Sequence, residues 1–153
     1  MNKIDFEKFP DARVQKAYAI AKAAHFGQVD KAGVEYLNHT VTVALSVADD
    51  ISAVIVALLH DVLEDTNYDF DDLKSAVPLN SEEIDALKLL THDKNIPYFE
   101  YIEKIKTNKL ATKVKIADLQ HNSDLSRIPE NSRTDKDLAR VEKYRQALQI
   151  LKK

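Results

Sequence analysis

Six consecutive residues, His60-Asp61-Val62-Leu63-Glu64-Asp65, carry one imidazole and three carboxylates. At about 100° per residue, His60 and Glu64 lie some 40° apart on a helix, as do Asp61 and Asp65, so all four fit an arc of roughly 140°. The residues just before them, Ile51 and Ala53-Val54-Ile55-Val56-Ala57-Leu58-Leu59, form the most apolar stretch of the chain. Buried acids and imidazoles are costly unless paired or bound to a metal. No Lys or Arg adjoins these four, so a cation would supply the missing counter-charge. The same spacing also reads as a solvated helix end whose acids face water. Two other segments bear on the choice. His39 sits in Tyr36-Leu37-Asn38-His39, and Asp118 in Val114-Lys115-Ile116-Ala117-Asp118, with Asn122 one turn on. Either residue alone is ordinarily structural. Together, His39, His60, Asp61 and Asp118 offer two imidazole nitrogens and two carboxylates, a set that suits Mn²⁺, or else Fe²⁺, Mg²⁺ or Zn²⁺.

Helices must position these groups. Few Gly and Pro and many Ala, Leu, Lys, Glu and Asp favour helix, and the spacing of apolar residues predicts about eight. The first spans about Asp11 to His25, with Val14, Ala17, Tyr18, Ala21 and Ala24 on one face. Gly27 ends it, and the segment to Tyr36 contains both glycines of the chain, marking a functional loop. A second helix covers about Asn38 to Ala48, and the third is the apolar stretch ending in His60 and Asp61. Shorter helices follow near Asp69 to Val77 and Ser81 to Leu90, with Asp69 and Ser81 as N-caps. Pro97 suits the first position of a sixth, ending near Lys106. A seventh runs from Leu110 to Leu125. Thr134 and Asp137 resemble a capping box for a last helix reaching Leu151. No segment reads as a strand. The expected fold is all-α, one domain over residues 1–153.

Composition excludes several classes. With no cysteine, disulfides, Cys-ligated zinc, iron–sulfur clusters and thiol nucleophiles are out. Two glycines cannot make a GxGxxG or Walker A loop. A net charge of −3 argues against nucleic acid as a partner. The apolar run is too short to span lipid, and Met1 to Pro10 lacks the apolar core of a signal peptide, so a cytoplasmic protein is expected.

The order His … His-Asp … Asp resembles the HD-domain metal-dependent phosphohydrolases, an all-helical superfamily. More closely, the chain is similar to the hydrolase domain of RelA/SpoT-type alarmone enzymes in their stand-alone form, the small alarmone hydrolases. The matching stretches are His25-Phe26-Gly27-Gln28, Lys31-Ala32-Gly33, Tyr36-Leu37-Asn38-His39, Leu58-Leu59-His60-Asp61-Val62-Leu63-Glu64-Asp65-Thr66, Thr91-His92-Asp93-Lys94, Lys115-Ile116-Ala117-Asp118 with Asn122, and Arg140-Val141-Glu142-Lys143-Tyr144. They cover about residues 15 to 150. A chain of 153 residues has no room for the synthetase and regulatory domains of the long enzymes.

The resemblance implies a specific chemistry. His39, His60, Asp61 and Asp118 would hold one divalent ion, Mn²⁺ first, that activates a bound water as nucleophile. Glu64 and Asp65 would orient or deprotonate that water. The implied substrate is an alarmone, (p)ppGpp or (p)ppApp, losing its 3′-pyrophosphate. Such a polyanion calls for cations, and Lys31, Lys115, Arg127, Arg133 and Arg140 are candidates. The family's phosphate-binding pair falls on Arg140 and Tyr144, a nucleotide contact on Asn122, and Lys31 lies in the first loop. His25 and His121 read as structural or supporting. Asp30 stands where many relatives have Arg, Thr40 where they have Pro, and His92 where Asp is common, and the segment after Asn122 is one residue short. The Asp30 exchange leaves the choice of base open, because an acid cannot stack as a guanidinium does. Rival readings are an HD-type phosphatase on another nucleotide or NADPH, and a catalytically silent nucleotide-binding or antitoxin-like protein. A homo-oligomer is left open.

Overall fold

A computed structural model of the chain describes residues 5–30 and 33–153. Among the described residues eight α-helices are found: α1 (Ala12–Ala24), α2 (Tyr36–Ser46), α3 (Ile51–Asp65), α4 (Phe70–Ala76), α5 (Ser81–Leu90), α6 (Tyr98–Lys106), α7 (Lys109–Asn122) and α8 (Asp135–Leu151). Short 3₁₀ turns cover Phe6–Lys8, Leu125–Arg127 and Glu130–Ser132. Among the described residues no strand forms, beyond one isolated bridge between Val29 and Glu35. The all-α expectation holds.

Helix α3 is the axis of the bundle. Every residue from Ala53 to Val62 is buried, because a helix apolar on all sides can only be stable when surrounded. Helices α1, α2, α5 and α7 surround it, and α6 and α8 pack on each other and on α7. A buried polar knot anchors its N-terminal half. Glu83 of α5, fully buried, accepts hydrogen bonds from Arg13 of α1 (2.8 Å), Ser52 of α3 (2.7 Å) and the Asn80 backbone N–H (2.9 Å). One carboxylate thus ties three helices, and the far end of α3 is left to carry the chemistry.

Caps explain the boundaries. Asp69 with Asp72 and Thr134 with Asp137 form reciprocal capping boxes. The expected cap Ser81 is instead the first helical residue. Asn80 takes the cap position because its side chain accepts from Glu83 N–H while Glu83 accepts from Asn80 N–H. Pro97 likewise sits one place earlier than expected, as the cap of α6. Helix α7 stops at Asn122, where a 3₁₀ turn begun by Asp124 takes over from the expected helix through Leu125. In the first loop, Gly27 (φ 82°) and Gly33 (φ 80°) adopt the left-handed conformation that other residues resist. Between them Asp30 N–H donates to Val34 O, and Tyr36 N–H donates to Gln28 O, which delivers Tyr36 to the start of α2. Among the described residues no helix is long and apolar enough to cross a membrane.

Candidate metal and phosphate site

The C-terminal end of α3 brings His60 and Asp61 against His39 of α2 and Asp118 of α7. All four are buried, and one potential ligand atom from each lies within 4.8 Å of the others. His39 Nε2 is 2.8 Å from Asp118 Oδ1 and 3.6 Å from Asp61 Oδ2. His60 Nε2 is 3.3 Å from Asp61 Oδ2 and 3.6 Å from Asp118 Oδ1. Residues 79 apart in sequence meet because α2 and α7 flank α3.

Neighbouring groups fix the orientation of each member. His60 Nδ1 lies 2.8 Å from the Ala57 carbonyl, its natural acceptor, which leaves Nε2 facing the cluster. That Nε2 is buried and has no hydrogen-bond partner. His39 Nδ1 meets His121 Nδ1 at 2.6 Å, with the two rings stacked at 4.9 Å, so its Nε2 also points inward. Tyr36 donates its hydroxyl to Asp61 Oδ2 at 2.9 Å. Lys115 Nζ holds Asp118 Oδ2 at 3.0 Å, and the Asn122 amide donates to Asp118 Oδ1 at 3.2 Å. An orphaned imidazole nitrogen beside two carboxylate oxygens and a second inward imidazole fits a divalent cation, since such an ion would satisfy all four at once. The four residues could hold one divalent metal ion.

The electrostatics are those of a concentrated charge cluster. Burial alone would lower the pKa of His60, but Asp61 and Asp118 outweigh it and hold the imidazole up at about 9. Burial likewise opposes ionisation of Asp118, yet Lys115 and the two imidazoles keep it well below the usual carboxylate range. Lys115 is held well above the ordinary lysine value, because Asp118 overrides the penalty of burial.

Glu64 and Asp65, one turn beyond the His-Asp pair, are at the open rim of the site. Partial shielding from water and then the charge of Asp61 raise both carboxyl pKa values above the ordinary. In Glu64 this is partly offset by the His92 backbone N–H, which it accepts. A raised carboxyl near a charged cluster is the behaviour expected of a group that exchanges protons with a water. Gln28 bridges the first loop to this rim, its amide meeting the Asp65 carbonyl at 3.3 Å and its oxygen meeting His25 Nδ1 at 3.0 Å.

The expected substrate residues fare unequally. Tyr144 of α8 is partly buried against the core beside Tyr98, ring centroids 6.4 Å apart, and burial raises its hydroxyl pKa, with Lys115 opposing and Asp118 adding to the rise. Arg140, one turn earlier, pairs with Asp137 at 2.7 Å. Asn122 is engaged by Asp118. Arg133 donates to the carbonyls of Ile128 and Leu125, which makes it a brace for the segment before α8. Lys31 and the Arg127 side chain lie outside the described residues. His92, in place of the family's Asp, stacks on Tyr101 at 4.3 Å and meets the Ile96 carbonyl. Asp30 accepts from Val34 N–H and so helps shape the first loop. The contact of Tyr36 with Asp61 has no local sequence signal beyond the place of Tyr36 three residues before His39 on the same helix.

An all-helical bundle whose central helix ends in a His-Asp pair, completed by a His and an Asp from flanking helices, defines the HD class of helical domains. No family model matches the chain. The bifunctional (p)ppGpp synthase/hydrolase SpoT of Escherichia coli K12 is 33% identical over 122 residues, which is 72% of this chain and 17% of that protein. A guanosine-3′,5′-bis(diphosphate) 3′-pyrophosphohydrolase of Haemophilus influenzae is 36% identical over 115 residues, 67% of this chain and 17% of that protein. A solved structure described as a metazoan ortholog of SpoT that hydrolyzes ppGpp superposes with a TM-score of 0.72 at 24% identity, covering 94% of this chain and 85% of that one. The chain is similar to these relatives over 67–72% of its length and shares the fold of the solved ortholog. It spans about a sixth (17%) of the length of those two curated relatives.

Proposed function

We propose that the protein is a metal-dependent pyrophosphohydrolase that removes the 3′-pyrophosphate of an alarmone nucleotide, (p)ppGpp or (p)ppApp. The observation that carries this reading is the orphaned His60 Nε2 at the centre of a buried His₂Asp₂ cluster, one turn from the Glu64–Asp65 pair. The relatives' names supply the substrate class, since one is a (p)ppGpp synthase/hydrolase and another a 3′-pyrophosphohydrolase.

His39, His60, Asp61 and Asp118 hold the ion in this account. The mixed nitrogen and oxygen donor set favours Mn²⁺. When bound, such an ion supplies Lewis acidity toward a phosphoryl oxygen and lowers the pKa of a nearby water. The protein's own groups do the rest. Glu64 or Asp65 takes the proton of the attacking water as its oxygen bonds to phosphorus. The bond from phosphorus to the 3′ oxygen breaks, and that proton ends on the released hydroxyl. Tyr144 and Arg140 of α8, with Lys31 of the first loop, bind the phosphates away from the reacting one, and Asn122 contacts the nucleotide. Asp30 builds the loop turn and offers no guanidinium for stacking, which supports acceptance of either purine. The substrate is a soluble small molecule, and a cytoplasmic, single-domain enzyme fits that role.

The test is a panel of nucleotides incubated with protein and Mn²⁺, with products separated by chromatography. Pyrophosphate together with GDP, GTP or their adenine counterparts is expected. Orthophosphate release would favour the phosphatase alternative, and tight binding without products the silent one.

A further inference from the structure

Lys115 has a placement that fold stability does not explain. Its side chain is largely buried, 13% exposed, and its ammonium lies 3.0 Å from Asp118 Oδ2. The ring of Tyr101 backs it at 5.4 Å. Among the described residues it is the one lysine or arginine ion-paired with a member of the His₂Asp₂ cluster. Asp118 is divided between two tasks. Oδ1 faces His39, His60 and Asn122, while Oδ2 faces Lys115. A fixed positive charge there repels a divalent ion held by the other oxygen, so it works against metal binding. It also exacts a desolvation penalty. Both costs are offset if a third, anionic group enters beside the two cations. An ammonium carries three N–H donors, more than the single carboxylate oxygen it meets here.

We infer that Lys115 is a catalytic residue that contacts the attacked phosphoryl group, its ammonium donating to a non-bridging oxygen on the side of Asp118 away from His39 and His60. The inference rests on the pyrophosphohydrolase reading and assigns a residue of the same site. Lys115 gives up no proton. It stabilises negative charge gathering on the phosphoryl oxygens while water's oxygen bonds to phosphorus and the 3′ oxygen departs. Tyr101, held through its hydroxyl to the Leu90 carbonyl at 2.6 Å, limits how far the ammonium can withdraw.

The test compares wild type with Lys115→Met, which keeps length and removes charge, and with Lys115→Gln in case the first variant folds poorly. Metal affinity is read by Mn²⁺ titration, folding by thermal melting with Mn²⁺ present, and turnover on whichever nucleotide wild type cleaves fastest. A transition-state contact predicts kcat lower by roughly 10²–10³-fold, the scale seen when one oxyanion donor is lost. Mn²⁺ should bind at least as tightly as in wild type, because a repelling charge has gone. A lower kcat with no loss of metal affinity is the signature. If metal affinity and kcat fall together, Lys115 only orients Asp118, and the inference is overturned. It is overturned equally by an unchanged kcat, or by a rise in KM alone. Failure of the underlying reading shows separately, as orthophosphate release by wild type, and the variant comparison then still decides the role of Lys115 on that substrate. A wild type that cleaves no nucleotide refutes both.

Discussion

Metal binding must compete with a proton on His60, and the structure sets the size of that competition. Nδ1 of His60 is committed to the Ala57 carbonyl, so a metal can be accepted only through Nε2. With burial outweighed by Asp61 and Asp118, the imidazole stays protonated up to about pH 9 before the ion arrives. At pH 7 only about one molecule in 100 then presents a free Nε2, a penalty of ~3 kcal/mol on binding. The apparent Mn²⁺ affinity should therefore rise about tenfold per pH unit between pH 7 and 9 and level off above. An ordinary imidazole would instead level off near pH 6.5. Calorimetric titration in buffers of different ionisation enthalpy should show close to one proton released per ion at pH 7. After chelation the same charge pairing supports the fold. The folded-state pKa is raised, so its contribution, about 3 kcal/mol, is fully present below about pH 6.5 and fades as pH rises through about 9. An affinity flat from pH 7 to 9, or no proton release at pH 7, would refute the placement of His60 between two carboxylates and the metal.

Glu64→Gln and Asp65→Asn should keep the metal and the melting temperature yet lower kcat by about 10²–10⁴-fold, and near wild-type rates would remove both from water handling. Arg140→Ala should raise KM more than it lowers kcat, the mark of binding felt equally in ground and transition states, whereas a collapsed kcat at constant KM would place Arg140 at the reacting phosphate. Glu83→Ala breaks the knot joining α1, α3 and α5 and takes from Arg13 its buried carboxylate, so unfolding free energy should drop by roughly 3–5 kcal/mol in a denaturant titration, with metal affinity at low temperature little changed.

Much of the bundle is written in local patterns. The all-apolar face count of α3 demanded a surrounded helix, and Asp69 and Thr134 announced their helices through reciprocal side-chain and backbone bonds. Boundaries decided by two competing caps were harder, because Asn80 and Ser81 both can cap and only the Glu83 partner settles it. At the site, the His60-Asp61 pair and the following Glu64-Asp65 were legible as an arc of charge on an apolar helix. His39 and Asp118 read as candidate ligands by type, but only the resemblance joined them firmly to that pair, since nothing local says that α2 and α7 will flank α3. The supporting contacts, Tyr36 on Asp61, His121 on His39 and Lys115 on Asp118, depend on packing between elements and could not be spaced out from the sequence. The raised pKa of His60 follows from the same long-range meeting.

If water attacks phosphorus and expels an intact pyrophosphate, the isotope of the water must appear in that product. Wild-type protein with Mn²⁺ is given ppGpp in H₂¹⁸O, and the products are weighed by mass spectrometry. One ¹⁸O is expected in the released pyrophosphate and none in GDP. Label in the nucleotide, or orthophosphate as the first product, would contradict it.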